Sequence, residues 1–281
     1  MSDVDVIDNS FDKNLTTSYF LSIRVSPDGL SFSVLDPVRN DYILLKNFDF
    51  EKPDENFVRT QELLIMDPFL NYDYKRVYFL FETSNATLVP GALYNEKEAG
   101  NALKLTSGID DDRFVIKSRK IKLADAWNVF AIPDYLYYLV KSQFAEPAFY
   151  QQFTTMIEAN LLSGTVEPSP VMYINLRKWS FDVVVLKKYS VQFCNTFKYL
   201  NPAEFAYFSL NVVKQLNLDP KNLKVYMSGM ADGSDECLEL MRRYIKNVFI
   251  KGVSHHFEFG PVFKSVKTEE FYNLFTLPLC E

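Results

Sequence analysis

The chain has 281 residues, of which 48% are hydrophobic and 16% aromatic, with 25 Phe and 17 Tyr. That content excludes a disordered chain and supports one large core or two medium ones. A formal net charge of -6 gives no general attraction to nucleic acid or anionic lipid, and no run reaches the ~18 apolar residues that span a bilayer.

Nucleic acid and a membrane span are therefore not expected. Cys194, Cys237 and Cys280 are odd in number and widely spaced. They match neither a disulfide framework nor a metal motif, and they fit a reducing compartment. The N-terminus is acidic and lacks the basic and apolar regions of a secretory signal. The expected location is the cytoplasm.

Residues 1–17 are polar and mostly acidic and read as a flexible tail. Three apolar runs follow, Tyr19–Ser26, Leu30–Asp36 and Tyr42–Phe50. Ser26-Pro27-Asp28-Gly29 and Pro37-Val38-Arg39-Asn40 separate them, so the pattern predicts a three-strand meander. Pro53–Pro68 carries an apolar stripe at helical spacing, with Asp54 as a candidate cap. Lys75–Thr83 reads as a strong strand, Ala86–Pro90 as a short one and Asn95–Leu105 as a short helix.

Asp110-Asp111-Asp112 lacks the spaced oxygen ligands and turn glycine of a calcium loop and reads as a solvated turn. Arg113–Leu123 and Trp127–Ile132 predict strands, Asp134–Phe144 a helix, and Phe149–Leu162 a strand running into a helix. The aromatic run Trp127–Tyr138 predicts core with some exposed rings. Ser163–Pro170 is rich in turn formers and marks the domain boundary.

Val171–Leu176, Phe181–Leu186 and Val191–Phe197 then repeat the meander, about 150 residues after the first. A helix over Ala203–Leu216, a strand over Leu223–Met227, a helix over Ser234–Ile245 and strands at Asn247–Lys251 and Phe257–Phe259 follow. Thr268–Phe275 predicts a closing helix. His255 and His256 are adjacent, and neighbours on a strand face opposite ways, so they predict no shared metal.

Meander, helix, strand, helix, given twice with an insertion in the first half, resembles the layout of the actin-like ATPase superfamily. The likeness is strongest to its pilus-assembly and secretion-platform branch, the PilM-like and GspL-like proteins, and to bacterial families of unknown function in that clan. Leu21–Asp36 resembles the first phosphate segment, Tyr173–Leu186 the second, and Val225–Met230 the nucleoside turn. Arg76–Gly100 resembles the strand, proline and acidic-helix passage of the pilus branch. The resemblance implies an α/β fold of two duplicated, ribonuclease H-like lobes. The first lobe is expected over 18–165 with an inserted subdomain, and the second over 166–281.

In that superfamily each phosphate hairpin places an Asp at the end of its first strand. The pair organises Mg²⁺, and glycines let backbone N–H groups approach the phosphates. Here Arg24 and Asn175 stand at the aspartate positions. Arg177, Lys178 and Trp179 replace the second set of glycines, leaving Gly29 in the first turn and Gly229 in the nucleoside turn. The expected vestigial cleft therefore comprises Arg24, Ser26, Asp28, Gly29, Asn175, Arg177, Ser180 and Gly229, with no catalytic residue and no metal.

The missing carboxylates favour a non-catalytic protein that works through its surfaces, with no cofactor. Another protein, or a second copy of the chain, is the expected partner. The alternatives are an unorthodox ATPase or small-molecule kinase, or a sensor that binds ATP or another anion without Mg²⁺. In a sensor, Arg24, Arg177 or Lys178 would replace the cation and Asp28 would supply a shifted carboxylate. Taken singly, each reads as an exposed turn charge.

Overall fold

The structure, a computed structural model, describes residues 4–51, 56–109, 112–163, 167–229, 234–253 and 257–280. The chain opens with β1 (Val4–Ile7) and a 3-10 turn over Lys13–Ser18 capped by Asp12. The first meander is β2 (Phe20–Ser26), β3 (Gly29–Asp36) and β4 (Asp41–Asp49). Then come α1 (Asn56–Met66) and β5 (Arg76–Phe81). An insertion follows: β6 (Ala86–Pro90), α2 (Ala99–Ser107), β7 (Phe114–Ile121) and β8 (Ala126–Pro133). The lobe resumes with α3 (Asp134–Gln143), β9 (Ala148–Gln151) and α4 (Gln152–Leu162).

The second half runs β10 (Val171–Leu176), β11 (Ser180–Lys187), β12 (Ser190–Lys198), α5 (Pro202–Gln215), β13 (Lys224–Ser228), α6 (Ser234–Tyr244) and β14 (Asn247–Ile250). Pro202 at the first turn and the Asn201 side chain, which accepts from the Glu204 N–H at 3.0 Å, start α5 where the sequence pattern put it. The chain ends with β15 (Glu258–Phe259) and α7 (Tyr272–Thr276), the latter flanked by 3-10 turns at Thr268–Phe271 and Leu277–Cys280.

Two sheets carry the duplication. The first has the order β1-β4-β3-β2-β5-β9, and the second β12-β11-β10-β13-β14. In each, the three antiparallel strands of the meander continue into two parallel ones, and in the first sheet β1 adds an antiparallel edge strand. The chain is an α/β fold of two related lobes. The insertion forms a third sheet, β6-β8-β7, with Ala99 and Leu103 of α2 packed on Val129 and Ala131.

The central strands are buried on both faces, which is why they read as nearly continuous apolar runs. All eight residues of β3 are buried. One face of its sheet packs Ile23, Phe32 and Leu44 against Leu64 of α1 and Leu136 and Val140 of α3. On the second sheet, Ile174, Val183 and Val225 pack against Phe205 of α5 and Met241 of α6. The helix α4 is buried on nearly every side and joins the lobes, with Phe153 and Ile157 against Tyr173 and Val184.

Two segments depart from expectation. Residues 1–17 read as a flexible tail, yet Val4–Ile7 pairs antiparallel with Asn47–Leu44 on the sheet edge. A four-residue strand is too short to stand out by alternation. The resemblance places the whole of 166–281 in the second lobe, yet β15 pairs with β4, and Phe257, Phe263, Leu274 and Phe275 cover Leu35, Tyr42 and Leu45. The second face of the first sheet needs an apolar cover, and the returning chain supplies it. The expected closing helix over Thr268–Phe275 is mostly 3-10, with one short α turn.

The candidate cap Asp54, Asp110, Asp111, His255 and His256 lie outside the described residues, as does part of the Ser163–Pro170 linker. The aromatic run divides as expected: Phe130 is buried, whereas Tyr135 and Tyr138 are exposed.

Candidate functional site

The turns that lead out of β2 and β10 meet between the lobes. Ser26 pairs directly with Gly29, so Pro27 and Asp28 form a tight two-residue tip. Only glycine fits at 29, because a Cβ there would run into the Phe48 carbonyl. At the tip, the Asp28 carboxylate accepts from the Lys178 backbone N–H of the other lobe at 3.0 Å. Its second oxygen accepts from the Ser26 hydroxyl in a very short bond. The Lys178 ammonium reaches back to the Phe50 carbonyl at 3.4 Å.

Behind this contact lies a buried charge network. Arg177 donates to Asp182 at 2.7 Å and stands 3.9 Å from Glu82. Asp182 also accepts from Thr196 at 2.6 Å and from Gln152 at 3.1 Å. Gln152 bonds both the carbonyl and the N–H of Thr83. Glu82 accepts from Asn273 at 3.0 Å. One network thus ties β5, α4, α7 and the second lobe's hairpin together.

Burial opposes every charge here, and neighbours decide the outcome. Burial pushes the Asp28 carboxyl up, but Arg24 and Arg177, with the Ser26 and Lys178 donors, hold it below the usual aspartate value. Burial pushes Glu82 above the usual glutamate value, and the pull of Arg24 and Arg177 does not reverse it. Burial also works against the Arg177 charge, yet Asp182, Glu82 and Asp28 together raise its affinity for its proton.

The expected site residues fall into two groups. Arg24, Asp28, Arg177 and Gly229 line one cavity of about 160 Å³. The Nε of Arg24 is buried there without a hydrogen-bond partner among the described residues, and its guanidinium lies 5.8 Å from the centre of the Phe271 ring. Gly229 has a positive φ of 68°, and a Cβ would strike the Asn175 side chain and the Leu176 carbonyl. Asn175 is buried and accepts from the Ser228 hydroxyl at 3.3 Å. Ser26 and Ser180 line a second cavity, of about 430 Å³.

Arg177 is not the exposed turn charge its position suggested; only 4% of its side chain is exposed. Two acidic partners, Glu82 and Asp182, escaped the sequence reading. Each had a visible signal, a lone acid at the end of VYFLFE or inside SFDVVVLK, where every neighbour is apolar or small. Among the described residues no group of three or more His, Cys, Asp or Glu is placed to hold a metal ion. No described helix is long and apolar enough to cross a membrane.

The sequence model of a family described as protein of unknown function, DUF3822, matches residues 8–248. The chain belongs to this family. The DUF3822 chain is also similar to solved structures. A Bacteroides thetaiotaomicron protein of actin-like ATPase fold and unknown function superposes with a TM-score of 0.80 at 23% identity, over 86% of this chain and 94% of that one. The PilM–PilN type IV pilus biogenesis complex gives a TM-score of 0.56 at 13% identity, over 92% and 96% of the two chains. The DUF3822 chain therefore has the actin-like ATPase fold. Comparison with curated proteins gives no match.

Proposed function

We propose that this DUF3822 protein is a non-catalytic interaction protein in which the phosphate position of an ATPase fold is filled by the chain itself. One observation carries this: the Asp28 carboxylate takes the Lys178 N–H. In the resembling hairpins such an N–H serves phosphate. Phosphoryl transfer also needs carboxylates free to hold Mg²⁺. Here Asp182 is fully buried and bonded to Arg177, and Glu82 is fully buried 3.9 Å from the same guanidinium. The remaining cavity of about 160 Å³ is smaller than the roughly 300–1,000 Å³ of ordinary small-molecule sites. The solved PilM complex contains a partner protein, PilN, which supports a protein partner as the working mode of this fold.

Calorimetric titration with ATP, with and without Mg²⁺, tests this function. No heat and no thermal shift at millimolar nucleotide is expected. Mg²⁺-dependent binding or phosphate release would overturn it in favour of an ATPase or kinase.

A second reading is an oxyanion sensor without turnover. Its support is the unpartnered Arg24 Nε beside a cavity large enough for one phosphate. Saturable phosphate binding that Arg24→Ala removes would favour it.

A further inference from the structure

The larger cavity lies beside the interlobe contact and is bordered by two of its residues, Ser26 and Glu82. Its walls come from both lobes: β2, α1, β5 and α3 of the first, and the Trp179 turn and β12 of the second. At about 430 Å³ it falls in the range of small-molecule sites, roughly 300–1,000 Å³. Val25, Phe81, Leu136 and Trp179 make most of it apolar.

Two of its lining residues carry buried oxygens with no hydrogen-bond partner among the described residues, Thr60 Oγ1 and Glu82 Oε2. Thr60 is 3% exposed and Glu82 1%. Glu82 Oε2 has the Arg177 guanidinium 3.9 Å away, too far for a hydrogen bond. Buried polar atoms are ordinarily paired, so these two oxygens in one apolar cavity point to a missing donor. That donor is neutral. Glu82 already lies in the field of Arg24 and Arg177, where a third cation would be repelled. The rim carries the opposite demand. Lys198 lines the cavity, is exposed, and makes no ion pair with a described residue. The Lys178 ammonium sits 5.2 Å from the centre of the Trp179 ring.

We propose that this cavity binds a small molecule with a flat apolar body, one neutral hydrogen-bond donor and one negatively charged group. The body packs against Phe81, Leu136 and Trp179. The donor satisfies Glu82 Oε2, and the anionic group pairs with Lys198. The two cavities share no lining residue, so each can be tested with its own probe.

Indole-3-acetate is a probe with all three features. 1-Methylindole-3-acetate lacks the donor, and tryptamine reverses the charge. Calorimetry and ligand-observed NMR on the full chain should give a dissociation constant on the order of 1 mM for indole-3-acetate, as expected for a ligand of its size. The methylated probe and tryptamine should bind at least roughly tenfold more weakly, the cost of one unmade polar contact. Lys198→Glu, a surface change that leaves the core intact, should reverse the preference between indole-3-acetate and tryptamine. Leu136→Trp should fill the cavity and abolish binding. Absence of saturable binding up to about 5 mM, several times the expected constant, would overturn the proposal and leave the cavity to water. Binding indifferent to the N–H, to the charge and to Lys198→Glu would overturn it equally, even if Leu136→Trp failed to fold.

Discussion

The carboxylate of Asp28, at the tip of one lobe's hairpin, accepts the backbone N–H of Lys178, in the turn of the other lobe's hairpin, at 3.0 Å. On the function proposed above, this side chain stands where a ligand would separate the two turns. Asp28→Ala should therefore act twice. Loss of a charge-assisted bond should lower stability by about 1.5–3 kcal/mol, read as a lower urea midpoint with unchanged slope. It should also free the N–H, so that the variant binds pyrophosphate measurably where the parent does not. A variant as stable as the parent, and equally blind to pyrophosphate, would show that this contact does not occupy the phosphate position.

Arg177 is the hub of the buried network, between Asp182 and Glu82. Removing it alone takes the bonded counter-charge from buried Asp182 and leaves buried Glu82 with Arg24 alone. Arg177→Met should cost about 3–5 kcal/mol in denaturant unfolding. Replacing the whole set, Arg177→Met with Glu82→Met and Asp182→Leu, should return most of that loss, because an apolar set of similar volume needs no desolvation. If the triple variant is no more stable than Arg177→Met, the network's hydrogen bonds to Gln152, Thr196 and Asn273 matter more than its charges.

The two shifted carboxylates predict opposite pH limbs. Asp28 is held below its ordinary 3.8. Its contribution is present above that value and is lost as pH falls through its lower folded value. Glu82 is raised above its ordinary 4.5. Its contribution is full below that value and is lost as pH rises through its higher folded value. Stability measured by urea unfolding from about pH 2 to 8, a range spanning both limbs, should show each limb weakened separately, the acid one in Asp28→Asn and the rising-pH one in Glu82→Gln. A Glu82→Gln profile parallel to that of the parent would place the glutamate's folded value at the ordinary one.

The strands were legible because their chemistry is local. Both meanders combine β-branched and aromatic runs with Pro, Gly and Lys turns, and pairing such as Val171–Leu186 through Leu176–Phe181 follows from the short loops. The absence of aspartate at Arg24 and Asn175 was equally plain. What occupies the gap was not, because Glu82 belongs to a different lobe from Arg177 and Asp182, which flank one turn. Only the folded chain brings Glu82 within 3.9 Å of Arg177. The return of the last segment to the first sheet was hidden for a related reason. Phe257–Cys280 holds short 3-10 turns with no sustained period, so its apolar residues show no face.

That returning segment carries the last prediction. Tyr42 is fully buried in β4, and its hydroxyl donates to the Phe275 carbonyl at 2.5 Å. Its ring packs 4.5 Å from that of Phe275, centre to centre, and 5.2 Å from that of Phe257. Further along the same face, Tyr78, Leu80 and Tyr150 are covered by Leu277 and Cys280. Removing residues 257–280 would expose this whole face of the first sheet to water, at about 25 cal/mol for each Å² of apolar surface. A chain cut before Phe257 should lose its cooperative unfolding transition, bind a hydrophobic dye and keep only its far-ultraviolet signal, as expected when packing is lost before secondary structure. The peptide 257–280 added in trans should restore near-ultraviolet ellipticity. Two-state unfolding of the truncated chain at the parent midpoint would show instead that the first lobe is complete without its returning strand.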